Sequence, residues 1–247
     1  MDKIGHCPIN KHKEVIKKMN GEEKINRFPI SSEQEYMKDK KVNYLNYCIL
    51  VYFSNYQDLY DTFGKGDYDR HRYIYEDKIL KNKEEIEHYS KTKIQTFIRN
   101  AKKLATISDG EMVSVTKTNE GKIIYKIERP NKFILIEEKI LRVLINFCSM
   151  NAIKTYVFLK WRCREHGCII SRKEICENIG LSSNSKRQLQ EITDITKGLQ
   201  KLGLISRKTI TNVSTDGEDY NRSTYYELIS FEGWEKYWES EDNPNKI

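Results

Sequence analysis

Residues 170–210 read ISRKEICENIGLSSNSKRQLQEITDITKGLQKLGLISRKTI, and the punctuation of this stretch decides the fold. Ser171 stands three residues before Glu174, the spacing of a capping box, which predicts a short helix starting there. Gly180 ends that helix in an Ile-Gly-Leu corner, and Ser182 to Ser185 open a second one. Leu189, Ile192, Ile195, Leu199 and Leu202 recur at helical spacing, giving the second helix one apolar face. Gly203 terminates it and a strand starts at Leu204. Asp216-Gly217 marks a hairpin tip, from which STYYELI (223–229) returns.

Upstream, FILIEEKILRVLINFC (133–148) and NAIKTYVFLKWRCREH (151–166) predict a short strand and two helices, the last stopped by Gly167. Further back, VNYLNYCILVYFSNYQDLYDTF (42–63) is apolar and aromatic on most faces, the pattern of a buried helix, ended by Gly64 and Gly66. After a Tyr-rich connector, KEEIEHYSKTKIQTFIRNAKKL (83–104) has helical spacing through Ile86, Tyr89, Ile94, Phe97, Ala101 and Leu104. The period then switches to two. MVSVTKT and KIIYKIE flank Asn119-Glu120-Gly121 and predict a β-hairpin, closed by Pro130.

The two regions match at an offset of 98 residues. Lys93–Ser108 and Glu191–Ser206 pair Ile94 with Ile192, Phe97 with Ile195, Ala101 with Leu199, Leu104 with Leu202 and Ile107 with Ile205. Any two amphipathic helices share a period, but here a helix-to-strand transition and a hairpin follow in both, which favours a duplicated unit. The organisation expected is an N-terminal, partly flexible arm (1–41), a first unit (42–132), a second (133–230) and an acidic tail (231–247).

Charge follows this division. The chain carries 43 Lys and Arg against 36 Asp and Glu. Residues 1–213 hold +13 of the formal charge and residues 214–247 hold −6. A basic body suggests a polyanionic partner, although a Lys-rich solvated surface reads the same way by composition alone. No run of about 18 apolar residues is present to span a membrane, and the first residues lack the apolar core of a secretory signal, so a cytoplasmic protein is expected.

Short helix, glycine corner, longer helix and hairpin form the order of a winged helix-turn-helix. The fold class expected is therefore mainly α with β-hairpin wings (α+β), built as two winged helix-turn-helix domains. In such a unit the second helix buries one face and offers the other to a DNA major groove. In the second unit that face carries Lys186, Arg187, Gln190, Thr193, Lys197 and Lys201, with Asn184 and Ser185 at the helix start. In the first unit, Lys91, Thr92, Lys93, Gln95, Arg99, Lys102 and Lys103 lie in a stretch with no acidic residue between His88 and Ser108. Lys117 and Lys122 flank the first hairpin tip, as a phosphate-touching wing requires. The second tip holds Asp216, Glu218 and Asp219, which phosphate repels, so that wing is expected to turn away from DNA or to meet a partner.

The segment 133–208 resembles the winged-helix domains of plasmid and phage replication initiators. Two such units in about 250 residues are similar in architecture to the tandem winged-helix initiators of plasmids. That resemblance implies double-stranded DNA with repeated sites as the partner, two domains in successive major grooves, and control by conversion between homodimer and monomer. Replication proteins are further partners it implies. A transcription or partition regulator, and a unit turned protein-interaction module with the 42–63 helix as interface, stand as alternatives.

Enzymatic chemistry is not expected. There is no G-x-x-x-x-G-K-[ST] phosphate loop, and the five histidines never form a close pair. His71 lies among Tyr68, Tyr73 and Tyr75, a setting that favours aromatic packing over nucleophilic attack. Cys163, His166, Cys168 and Cys176 are spaced C-x2-H-x-C-x7-C across predicted helices, unlike the paired ligands of a zinc site. Reduced, mostly buried thiols are expected instead, with no metal and no cofactor.

Overall fold

The computed structural model of the chain describes residues 27–56, 72–164, 166–213 and 220–239. It is a mixed α+β protein with small antiparallel sheets, and it divides into two compact units between Asn146 and Phe147.

The first unit begins with β1 (Arg27–Ser31), α1 (Gln34–Lys38), α2 (Tyr44–Phe53), β2 (Asn55–Tyr56) and β3 (Arg72–Tyr75). Helices α3 (Glu76–Lys81), α4 (Lys83–Ser90) and α5 (Ile94–Ile107) follow. Then come β4 (Val113–Lys117), β5 (Ile123–Ile127), β6 (Phe133–Glu137) and α6 (Glu138–Phe147). Strands β2, β3, β5 and β4 form one antiparallel sheet in that order, and β1 pairs separately with β6.

Every residue of α2 except Tyr52 is buried, because the sequence offers it no polar face. Residues 44–53 of the aromatic segment are thus part of the unit's own core. Its tyrosines fasten the chain upstream: Tyr44 donates its hydroxyl to the Ser31 carbonyl, and Ser31 N–H donates to the Tyr47 hydroxyl at 3.3 Å. The helix stops at Phe53, where the buried Arg72 guanidinium donates to the Ser54 carbonyl (2.7 Å) and hydroxyl (2.9 Å) and lies 4.2 Å from the Phe28 ring centroid. Residues 57–63, also read as helix, and the arm up to residue 26 lie outside the described residues. The rest of the expected arm, 27–41, is strand and helix. Phe28 and Ile30 are buried, with β1 in register against β6 (Phe28 opposite Ile136). That pairing holds β6 in the first unit, so the division falls after α6 and not before residue 133.

The long helix expected over 83–104 is broken. Lys91 adopts a left-handed conformation (φ 56°), separating α4 from α5. The following hairpin turns at Gly121, whose φ of 80° suits a residue without Cβ.

The second unit runs α7 (Met150–Cys163), β7 (Cys168–Ile169), α8 (Arg172–Ile179), α9 (Lys186–Lys201), β8 (Ile205–Val213), β9 (Tyr220–Leu228) and α10 (Phe231–Glu239). Its sheet has the order β7-β9-β8, antiparallel throughout. The Ser171 hydroxyl accepts from Glu174 N–H (3.1 Å), and Gly180 closes α8 at φ 81°. Ile192, Ile195 and Leu199 are buried, while Leu202 is half-buried at the end of the helix.

Residues 231–239 are a packed helix and not part of a tail, because its aromatic residues outweigh its acidic ones. Trp234 and Trp238 both donate their indole N–H to the Leu202 carbonyl, at 3.0 and 3.1 Å, satisfying the end of α9. Gly203 (φ 68°) permits the approach; a Cβ there would stand 2.5 Å from the Tyr237 ring. Residues 240–247 and the tip 214–219 lie outside the described residues.

Cys163 and Cys168 form a disulfide, which corrects the expectation that the thiols stay unpaired; the turn from α7 to β7 brings their Cα atoms within 4.8 Å. Cys48, Cys148 and Cys176 are buried thiols. Burial pushes the Cys176 thiol up, with Glu191 and Glu177 adding to the effect. Among the described residues no helix is long and apolar enough to cross a membrane.

Candidate nucleic-acid interface

The corner between α8 and α9 is built from short polar contacts. Ser185 caps α9, its hydroxyl accepting from Gln188 N–H (3.4 Å), and the Gln188 side chain in turn accepts from Ser182 N–H. No acidic residue lies in the first turn of α9, so its positive dipole end is not offset there. Lys186, Gln190, Thr193, Lys197 and Lys201 recur at i, i+4, i+7, i+11 and i+15, which aligns them on one side of the helix. All are exposed except Thr193, which is half-buried; Asn184 and Arg187 are exposed beside them.

Two of the expected DNA-contacting residues are partly occupied. Gln190 donates one amide N–H to the Asp194 carboxylate at 3.0 Å. Thr193 donates its hydroxyl to the Leu189 carbonyl (3.2 Å) and accepts from the Arg172 guanidinium (3.1 Å). Arg207 reaches the Thr193 carbonyl at 3.5 Å. Sequence reasoning missed Arg172 and Arg207. Arg172 sits on the first turn of the other helix and Arg207 on a strand, so no single-helix periodicity could gather them. The signal available was their charge within a stretch that holds 14 basic against 7 acidic residues, 135–213.

The first unit presents a similar pattern with a different balance. Gln95, Arg99 and Lys102 line one exposed side of α5, with Lys103 beside them. Lys91, Thr92 and Lys93 belong to the α4–α5 corner, where Thr92 donates its hydroxyl to Ser90 Oγ at 3.0 Å. The N-terminus of α5 is already satisfied: the Glu87 carboxylate accepts from Ile94 N–H at 2.8 Å. Lys102 pairs with Glu76 (3.0 Å), an acid that also accepts from the Tyr125 hydroxyl (2.6 Å). At the hairpin tip Lys122 pairs with Glu120 (2.8 Å), which raises the lysine's pKa and lowers the glutamate's. Lys117 is exposed at the end of β4.

An open cleft of about 630 Å³ lies between α3 and this tip, lined in part by Lys78, Lys81 and Lys122 and by Asp77 and Glu120. Its charges are mixed, and burial followed by the nearby Arg72 lowers the Lys78 pKa.

The basic residues expected from sequence are exposed in both units. Those of the second are solvent-facing with few carboxylates. Those of the first are interleaved with acids, Glu76 and Glu87 from preceding helices and Glu120 beside Lys122 at the same tip. No protein family, curated protein or solved structure matches this chain. Function must then be argued from these exposed residues alone.

Proposed function

We propose that the chain is a sequence-specific double-stranded DNA-binding protein made of two winged helix-turn-helix domains, acting in the cytoplasm as a replication initiator of a plasmid or other mobile element. The observation that carries the DNA-binding reading is the exposed stripe Lys186, Gln190, Lys197 and Lys201 on α9, the longer helix of a corner whose first turn bears no acid. A major groove about 12 Å wide accepts one helix, and the side away from the core then faces base edges.

Topology supports the winged-helix part. In the second unit a helix, a strand, two helices and a hairpin follow in order, and the first strand adds to the returning strand of the hairpin as β7-β9-β8. The first unit repeats this with α2, β3, α3–α4, α5 and the β4–β5 hairpin, in the order β3-β5-β4. The initiator role rests on the two-unit arrangement and on the resemblance stated above. A transcription or partition regulator uses the same DNA chemistry.

A second reading has one specific support. The acids at Glu76, Glu87 and Glu120 neutralise part of the first unit's basic surface, which favours that unit as a weaker DNA contact or a protein-binding module. Both readings are separated by charge reversal in the full chain. Affinity for duplex DNA is measured across a salt series, with site selection from a random pool. If both heads touch DNA, Lys186→Glu/Arg187→Glu and Lys91→Glu/Lys93→Glu each weaken binding and lower the salt slope. If only the second does, the first-unit pair leaves both unchanged. Wild-type protein whose affinity is flat with salt and which enriches no sequence ends the DNA-binding proposal. A spaced repeat among selected sites favours an initiator, and a single palindrome a regulator.

A further inference from the structure

We propose that Arg172 and Arg207 form a clamp for one backbone phosphate at the border of the α9 stripe, an inference that rests on the DNA-binding reading above. The two guanidinium groups come from different elements, the first turn of α8 and the start of β8, yet both converge on Thr193. Arg172 Nη1 donates to its hydroxyl at 3.1 Å and Arg207 Nη1 to its carbonyl at 3.5 Å. Among the described residues neither arginine has an ion-pair partner. Among the described residues the two like charges thus meet only neutral oxygens of one residue.

A phosphodiester fits that vacancy of charge. Its two free oxygens carry one negative charge and accept hydrogen bonds in the plane a guanidinium fork offers. The geometry favours phosphate over a base edge. Thr193 is half-buried at the edge of the stripe, beside the half-buried Leu189, whereas Lys186, Gln190 and Lys197 are exposed along it. A strand and a helix flanking the groove-facing helix reach the groove wall, where the backbone runs. The support beneath is firm: Arg207 lies opposite Tyr226 in the β8–β9 register, and Tyr226 is buried. The clamp would set the depth and register of α9 without reading sequence.

The test uses the full chain and duplex DNA of random sequence over a salt series, followed by site selection. Arg172→Ala and Arg207→Ala are each expected to weaken binding about tenfold near physiological salt, with the selected sequence unchanged. Because one phosphate is shared, the double variant is expected to lower the salt slope by only about 0.9, the value for a single phosphate. Arg172→Lys is expected to keep the slope but lose affinity, since an ammonium lacks the fork. Thermal melts matching wild type establish that the exposed Arg172 and the half-buried Arg207 were removed without unfolding.

A slope loss of about 1.8 in the double variant means two separate phosphates and overturns the shared clamp. A changed preference at one base pair makes Arg172 or Arg207 a base reader and overturns it too. Unchanged affinity in both single variants, while Lys186→Glu/Arg187→Glu still weakens binding, defeats the clamp and leaves the DNA-binding reading standing. Wild-type protein with no salt-dependent binding removes both.

Discussion

Glu87 tests how the first unit handles its own basic surface. Its carboxylate accepts from Ile94 N–H at 2.8 Å, seven residues along the chain, and so caps α5 from the preceding helix. Lys93, at the N-cap position, supplies no side-chain bond of its own. Removing an N-terminal cap costs about 1 kcal/mol, within a range of roughly 0.5–2. For a unit of about 120 residues, 1 kcal/mol corresponds to a melting shift of roughly 4 °C. Glu87→Ala removes both acceptor and charge, so its first-unit transition is expected to fall by about that amount. Glu87→Gln keeps an acceptor oxygen and loses the charge, so most of the stability is expected to remain. Affinity should move the opposite way. Both variants delete a negative charge beside Lys91 and Lys93 and open the dipole end of α5, which strengthens binding to duplex DNA if the first unit touches it. Differential scanning calorimetry reads the first effect and a salt-series titration the second. A Glu87→Ala melt that coincides with wild type refutes the capping argument. Unchanged affinity in both variants refutes contact between this corner and DNA.

Two further outcomes follow from buried groups. Arg72→Leu removes the guanidinium that donates to the Ser54 carbonyl and hydroxyl at the end of α2, and is expected to destabilise the first unit by about 3 kcal/mol in urea titration; a loss below 0.5 shows those bonds to be dispensable. In alkali, burial raises the pKa of Tyr44, Tyr47, Tyr89 and Tyr125, reinforced at Tyr89 by Glu85 and at Tyr125 by Glu76. A raised folded-state pKa gives stability that is complete below the unfolded value of about 10 and is lost as pH climbs beyond it. Phenolate absorbance should therefore appear in two steps, exposed tyrosines first and these only with unfolding; a single step near pH 10 contradicts their burial.

The second unit was legible in the sequence because its signals are local. Ser171 with Glu174, Gly180, Ser185 and Gly203 each fix an element end within a few residues. The first unit was less so, for physical reasons. Lys91 enters the left-handed region without the glycine or asparagine that usually announces it, so two helices read as one. Strand β6 was legible as a short strand, but its partner β1 was not, because the two pair across more than a hundred residues with no shared turn to announce the pairing. The offset of 98 residues captured what α5 and α9 share, their core side. Ile94, Phe97 and Ala101 are buried like Ile192, Ile195 and Leu199. The offset did not capture their ends. Lys186 opens α9 six residues before the position matching Ile94, and Ile107 is helical where Ile205 is strand. A buried face constrains residue type at a 3.6-residue period, whereas helix ends are set by caps that differ between the units.

Net charge along a sequence is a poor guide to the field a surface presents, and the two units show why. The run from His88 to Ser108 contains no acid, so along the sequence this helix carries charge of one sign. Folding returns the acids from elsewhere: Glu76 from α3 onto Lys102 and Glu87 from α4 onto the start of α5. In the second unit, folding instead brings two further cations, Arg172 and Arg207, to the same helix. An ion pair with an exposed carboxylate screens a lysine from an approaching polyanion, while convergent guanidinium groups concentrate the field. Two helices with a similar buried side thus differ on their outer sides through residues on neighbouring elements. If the chain binds a polyanion, the stronger attraction is expected at the second unit, where α9 carries Glu191 and Asp194 but Arg172 and Arg207 reach it from neighbouring elements.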